Sequence, residues 1–148
     1  MRAQRRTALL LAALALLFLL RVLGQVLVAF FGVAFLPAMA DWYSGLLPYP
    51  LLLPTQIAIL ALQAKVSADL WRGSGAFSVP RPRTYAAVRW FSLVYFAGMG
   101  MRYALTMGLY PERRWLGRGT IPIAFHFVLA SWLWVLARHQ LRAARSRA

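Results

Sequence analysis

A chain of 148 residues that is 61% hydrophobic, with a mean hydropathy of +0.62, is far more apolar than a soluble domain of this size. Its formal net charge of +14 invites a nucleic-acid reading. The basic residues, however, punctuate the gaps between apolar runs instead of gathering on one solvated face, which argues against nucleic acid as a partner. The lack of cysteine removes disulfides, thiolate catalysis, thiol redox chemistry and cysteine-ligated zinc.

Four apolar runs, 7–36, 49–64, 84–110 and 119–137, carry the excess. A membrane helix needs about 20 mostly apolar residues to cross about 30 Å of hydrocarbon. The expected fold is a single all-α integral membrane domain over 1–148, with helices at 7–36, 51–70, 85–109 and 120–138 in an up-down bundle. A basic cytosolic loop, 71–84, and two outer loops, 37–50 and 110–119, would join them.

The start, MRAQRR before TALLLAALALLFLL, imitates a secretory signal, and Ala38-Met39-Ala40 offers an A-x-A cleavage pattern. That triplet lies about 30 residues past the start of the apolar run, whereas signal apolar regions span about 7–15 residues, so the helix is read as retained. Arg21 interrupts the run, and with Gln25, Val28 and Gly32 it forms one stripe of the helix, spaced by four, three and four residues. Arg21 is too far from the cytosolic side for easy snorkelling, so the stripe is expected to face the protein interior.

LPAMADWYSGLLPYP follows, with prolines and a glycine to end the helix and no basic residue. Its Trp42, Tyr43 and Tyr49 suit the water–lipid interface. In the second helix Gln56, Leu60, Gln63 and Ser67 share a face, and two glutamines on one stripe point inward. Lys65, Asp69 and Arg72 are spaced to form a charge cluster at its end. The linker WRGSGAFSVPRPRTY lacks the spacing of a phosphate loop and reads as a surface loop near anionic headgroups. Tyr95, Gly98, Arg102 and Thr106 share a face of the third helix, where Gly98 and Gly100 would allow close helix approach. After PERRWLGRG, the fourth helix aligns His126, Ala130 and Ala137, and HQLRAARSRA closes the chain as a basic tail.

Charge counting orients the chain. The two ends and the 65–89 connection hold twelve basic residues, against three (Arg113, Arg114 and Arg118) on the opposite side. Basic residues favour the cytoplasm, so both termini are expected there, in a bacterial-type inner membrane or its equivalent.

The apolar runs contain no Asp or Glu, yet Arg21 and Arg102 need partners within the membrane. Asp41 and Glu112 are the candidate counter-ions. If neither folds inward, the partner is a ligand, and a guanidinium matches carboxylate or phosphate with two parallel hydrogen bonds. Two readings stand side by side. In one, an outward-facing pocket of Arg102, His126, Arg21, Gln25, Gln56 and Tyr95 binds an anionic lipid headgroup or small anion without catalysis; in the other, these groups only fix helix packing.

A second functional class is a non-catalytic subunit or assembly factor of a larger membrane complex, with a homo-oligomer or a partner membrane subunit beside it. An enzyme would rest on His126 as general acid or base, with no carboxylate in the spans to orient it. His126 and His139 are thirteen residues apart on one helix. That is about 20 Å, so they cannot share a metal or haem iron. No cofactor motif is present. Anion channels share this architecture, but their residue motifs are lacking, so the likeness is one of architecture alone.

Overall fold

The computed structural model describes residues 2–42, 48–109 and 120–146, all helix, turn or connecting segment with no strand among them. The helices in order are α1 (Arg2–Phe31), a short α2 (Met39–Trp42), α3 (Tyr49–Arg72), α4 (Pro82–Leu109) and α5 (Thr120–Arg145). Tyr43 of the aromatic loop and the whole of 110–119, with Glu112 and its three arginines, lie outside the described residues.

α1 is built from leucines and alanines, which are strong helix formers. It is 30 residues long, as the apolar run suggested, but it is shifted toward the N-terminus and stops at Phe31 instead of Leu36. The reason is Gly32, which turns left-handed at φ 58° while its N–H reaches back 3.3 Å to the Val28 carbonyl. A residue in that conformation ends a helix and caps its last carbonyls. α3 opens on prolines, which lack an N–H that the first turn does not use. It ends at Gly73, also left-handed at φ 71°, whose N–H donates to the Asp69 carbonyl.

Three of the described helices are long and apolar enough to cross a membrane: α1, α3 and α5 from Ile121. α4 is not among them, against the expectation of four such segments. Its 28 residues are ample at about 42 Å. What it lacks is hydropathy, because Arg89, Arg102, three tyrosines and three glycines dilute its apolar residues.

α1 packs against α3 on one flank and against α5 on the other, and α4 packs against α5. Each pair is antiparallel. The start of α1 meets the end of α5, where Thr7 Oγ1 lies 3.1 Å from His139 Nδ1 and Trp132 Nε1 donates to the Leu11 carbonyl at 3.1 Å. Around these bonds the four long helices share one core: Ala8 and Leu11, Val66 and Leu70, Tyr85, and Trp132, Leu136 and Ala137.

The connection between α3 and α4 closes over this basic end. The Asp69 carboxylate accepts from Lys65 Nζ at 3.2 Å and from the Phe77 N–H at 3.2 Å, and the Gln140 amide donates to the Phe77 carbonyl. Gly75 sits at φ 100° against that carboxylate, where an added Cβ would come within 2.5 Å of Asp69. Only glycine fits there. Outward, Leu16, Leu20, Phe30, Ile57, Trp90 and Val94 are exposed. Such a surface would drive aggregation in water, but hydrocarbon accepts it.

Candidate functional site

The half of the molecule away from the basic end is organised by the polar stripe of α1. Arg21 and Gln25 are one turn apart and buried, at 9% and 0% exposure. The segment after α1 folds back so that α2 rests on α1 and α5. Gly24 makes this contact, since a Cβ there would approach the Trp42 ring to 2.6 Å. Trp42 is held in turn by its own indole N–H, which donates to the Pro37 carbonyl at 2.9 Å. Its backbone carbonyl then accepts from Arg21 Nη2 at 3.1 Å. The guanidinium also lies 5.9 Å from the centre of the Phe125 ring, within cation–π range.

The partner that Arg21 finds is therefore a backbone oxygen, on the residue next to the expected counter-ion Asp41. Asp41 itself lies on α2, half-buried. Glu112 is not described. Arg21 Nε remains without a hydrogen-bond partner among the described residues.

Across the α1–α3 interface Gln56 Nε2 donates to Gln25 Oε1 at 3.2 Å. This single bond leaves Gln25 Nε2 and Gln56 Oε1, both buried, with no partner among the described residues. On the α5 side His126 Nδ1 and the Tyr95 hydroxyl share a short hydrogen bond, and their rings meet edge to face with centroids 5.7 Å apart. Arg102 lies one helix further out on α4, half-buried. Its charge and that of Arg21 both reach His126, while its carbonyl accepts from the Thr106 hydroxyl at 2.8 Å.

α3 and α5 flank α1 without forming a close pair of their own. The space between them is a cavity of about 150 Å³, walled by Leu52, Thr55, Gln56 and Ile59 of α3 and by Pro122, Phe125, His126 and Leu129 of α5. Phe18 and Arg21 of α1 form its floor. A liquid water takes about 30 Å³, so the cavity suits a few waters or a small organic group.

The structure thus gathers the expected residues into shells. Arg21, Gln56 and His126 line the cavity; Gln25 stands behind Gln56, and Tyr95 behind His126. Arg102, expected at the centre, is not in the lining. The apolar walls carried no sequence signal, because Leu52, Ile59, Phe125 and Leu129 look like any lipid-facing residues until the gap between two helices is seen. Trp42 was legible only as an interfacial aromatic. The glycines 98 and 100 approach nothing: a Cβ at either would have no neighbour within 4 Å.

Among the described residues no three His, Asp or Glu side chains stand together as a metal site would require. Compared with family models, characterised proteins and solved structures, the chain gives no match.

Proposed function

We propose that the protein is a small multi-pass membrane protein whose cavity binds an amphipathic anion, such as an anionic lipid headgroup or a small organic acid, without catalysis of its own. The observation that carries this reading is Arg21. It is a buried cation on the floor of a cavity, and its Nε has no partner among the described residues. Carboxylate or phosphate would complete that donor set. With the Tyr95 hydroxyl donating to Nδ1, His126 carries its hydrogen on Nε2 and offers a second donor; Gln56 Oε1 would accept from a hydroxyl of the ligand. The mostly apolar walls favour a ligand with a hydrocarbon portion over a bare inorganic anion. Arg102 adds longer-range positive potential.

In this reading all four long helices span the bilayer as an up-down bundle. α4 enters because it packs along α5 and joins its Tyr95 hydroxyl to His126, despite its lower hydropathy. Both termini lie in the cytoplasm of a bacterial-type inner membrane, following the excess of twelve basic residues over three. The cavity then opens in the outer half. A role as a subunit or assembly factor is favoured by the open glycines of α4: among the described residues, a Cβ at Gly98, Gly100 or Gly108 would meet nothing within 4 Å.

Native mass spectrometry in mild detergent tests the proposal on wild type, Arg21→Ala, Arg21→Lys and Arg102→Ala. A discrete anionic adduct is expected on the wild type, absent from Arg21→Ala, weakened in Arg21→Lys for want of the planar fork, and retained in part by Arg102→Ala. An adduct that survives Arg21→Ala at wild-type level would overturn the pocket. A wild type without adduct but with a partner chain would establish the subunit role instead.

A further inference from the structure

The basic end carries a second ligand-shaped feature, on the other side of α5. Between α4 and α5 lies a cavity of about 240 Å³ lined by Arg89, Trp134, Arg138, Leu141, Arg142 and Arg145. Four arginines from two helices line one space, and none of the described acids joins them. Of the described acids, Asp69 is engaged by Lys65 and Phe77 on α3, and Asp41 lies on α2 in the other half of the molecule. Arg142 and Arg145 fall in the last turn of α5, where cations offset the helix dipole. Arg89 and Arg138 have no such explanation. Arg89 Nε is buried without a partner, and the Arg138 guanidinium is held 4.9 Å from the centre of the Trp134 ring.

Trp134 is also where this cavity joins an apolar groove. That groove, about 530 Å³, runs deeper along the molecule between Leu10 and Leu14 of α1 and Leu93 and Phe96 of α4, over Ser131, Trp134 and Val135 of α5. The two features lie on one stripe of α5: Ser131, Trp134, Val135, Arg138, Leu141, Arg142 and Arg145 follow helical spacing. The stripe is small and apolar at depth and cationic at the end, with an aromatic ring at the join. A soluble phosphate would use the arginines and leave the groove without a role. A phospholipid uses both, and four cations in one space exceed what a single phosphate diester requires.

We propose that this stripe binds an anionic phospholipid with two phosphates in its headgroup, its acyl chains lying in the groove between α1 and α4. Arg89, Arg138, Arg142 and Arg145 hold the phosphates as planar donors, and Trp134 sets the depth at the interface. The site rests on the membrane reading above but not on the Arg21 cavity.

The test is native mass spectrometry of the protein purified in neutral detergent and titrated with cardiolipin (two phosphates), phosphatidylglycerol (one phosphate) or inorganic pyrophosphate. The variants are Arg138→Gln with Arg142→Gln, Arg138→Lys with Arg142→Lys, and Arg21→Ala. One cardiolipin per chain that survives Arg21→Ala is expected, bound more tightly than phosphatidylglycerol. The double Gln variant should bind it about thirtyfold more weakly, taking two basic residues at their usual worth near an anionic surface. The double Lys variant keeps the charge and should fall between, and Arg21→Ala should lose only the separate adduct of its own cavity. Circular dichroism verifies the helices in each. Equal binding of both lipids, unchanged binding in the double Gln variant, or pyrophosphate bound as tightly as cardiolipin would each overturn the site. Loss of binding in Arg21→Ala would overturn its independence from the other cavity.

Discussion

The two halves of the molecule treat the same kinds of polar side chain in opposite ways. At the basic end Asp69 receives a lysine and a backbone N–H, Gln140 closes on the Phe77 carbonyl, and Trp132 closes on the Leu11 carbonyl. A loop supplies the missing partners there. In the other half Arg21, Gln25 and Gln56 are just as buried, but each keeps a polar atom without a partner. An unmet buried donor or acceptor costs about 1–3 kcal/mol. The difference teaches where the α3–α4 connection completes the fold from within and where, as at Arg21 and again at Arg89 on the far side of α5, a buried polar atom is left open to a ligand; Gln63, with its Oε1 unpartnered near mid-helix, marks the border along α3.

The contrast can be broken from the basic end first, where the largest effect is expected. Asp69→Ala removes the acceptor of Lys65 and the Phe77 N–H together and should give the largest loss of stability of the three changes, because it also strands the Phe77 N–H. Denaturant or thermal unfolding in detergent measures it, and an unchanged midpoint would show that the loop is held by other means. A smaller effect is expected between the halves. Gly24→Ala pushes a methyl group against the Trp42 ring and should cost about 1–3 kcal/mol by overpacking, with weakened anion binding because the Trp42 carbonyl moves off Arg21. Unchanged stability and binding together would mean that α2 does not seat on α1 as described. The smallest effect sharpens the comparison most. Gln25→Leu with Gln56→Leu removes one hydrogen bond but two unpartnered atoms, so stability should stay within about 1 kcal/mol of wild type, since replacing both partners by apolar groups is often near neutral. Destabilisation as large as that of Asp69→Ala would make the glutamine pair a structural bond equal to those of the basic end.

Much of this arrangement was legible in the residues. Spacing by three and four placed Arg21 with Gln25 and turned Gln56 inward; the structure brings Arg21, Gln56 and His126 to one cavity. What the spacing could not show is tertiary. The partner of Arg21 is a main-chain oxygen, and any residue at position 42 carries one, so no side-chain pattern announces it. Arg21 lines the cavity and Arg102 does not, because the gap opens between α3 and α5, while α4 sits behind α5. Helix ends were displaced where a glycine left the right-handed region, as at Gly32. Apolar content alone also set α4 beside the other three long helices, although its tyrosines, arginines and glycines lower its hydropathy below theirs.

The position of α1 between α3 and α5 has a consequence for how the chain is made. α1 leaves the ribosome before the helices that pack around it, and its contacts to Trp132 and His139 span 121 and 132 residues of sequence. Until α5 is synthesised, α1 presents one flank of its polar stripe, Arg21 included, to whatever stands beside it in the bilayer. Contacts of such long range form late and slowly. Loss of the last helix would therefore do more than remove one segment: it would strand a cation in the membrane, a state that insertion machinery and quality-control proteases can recognise.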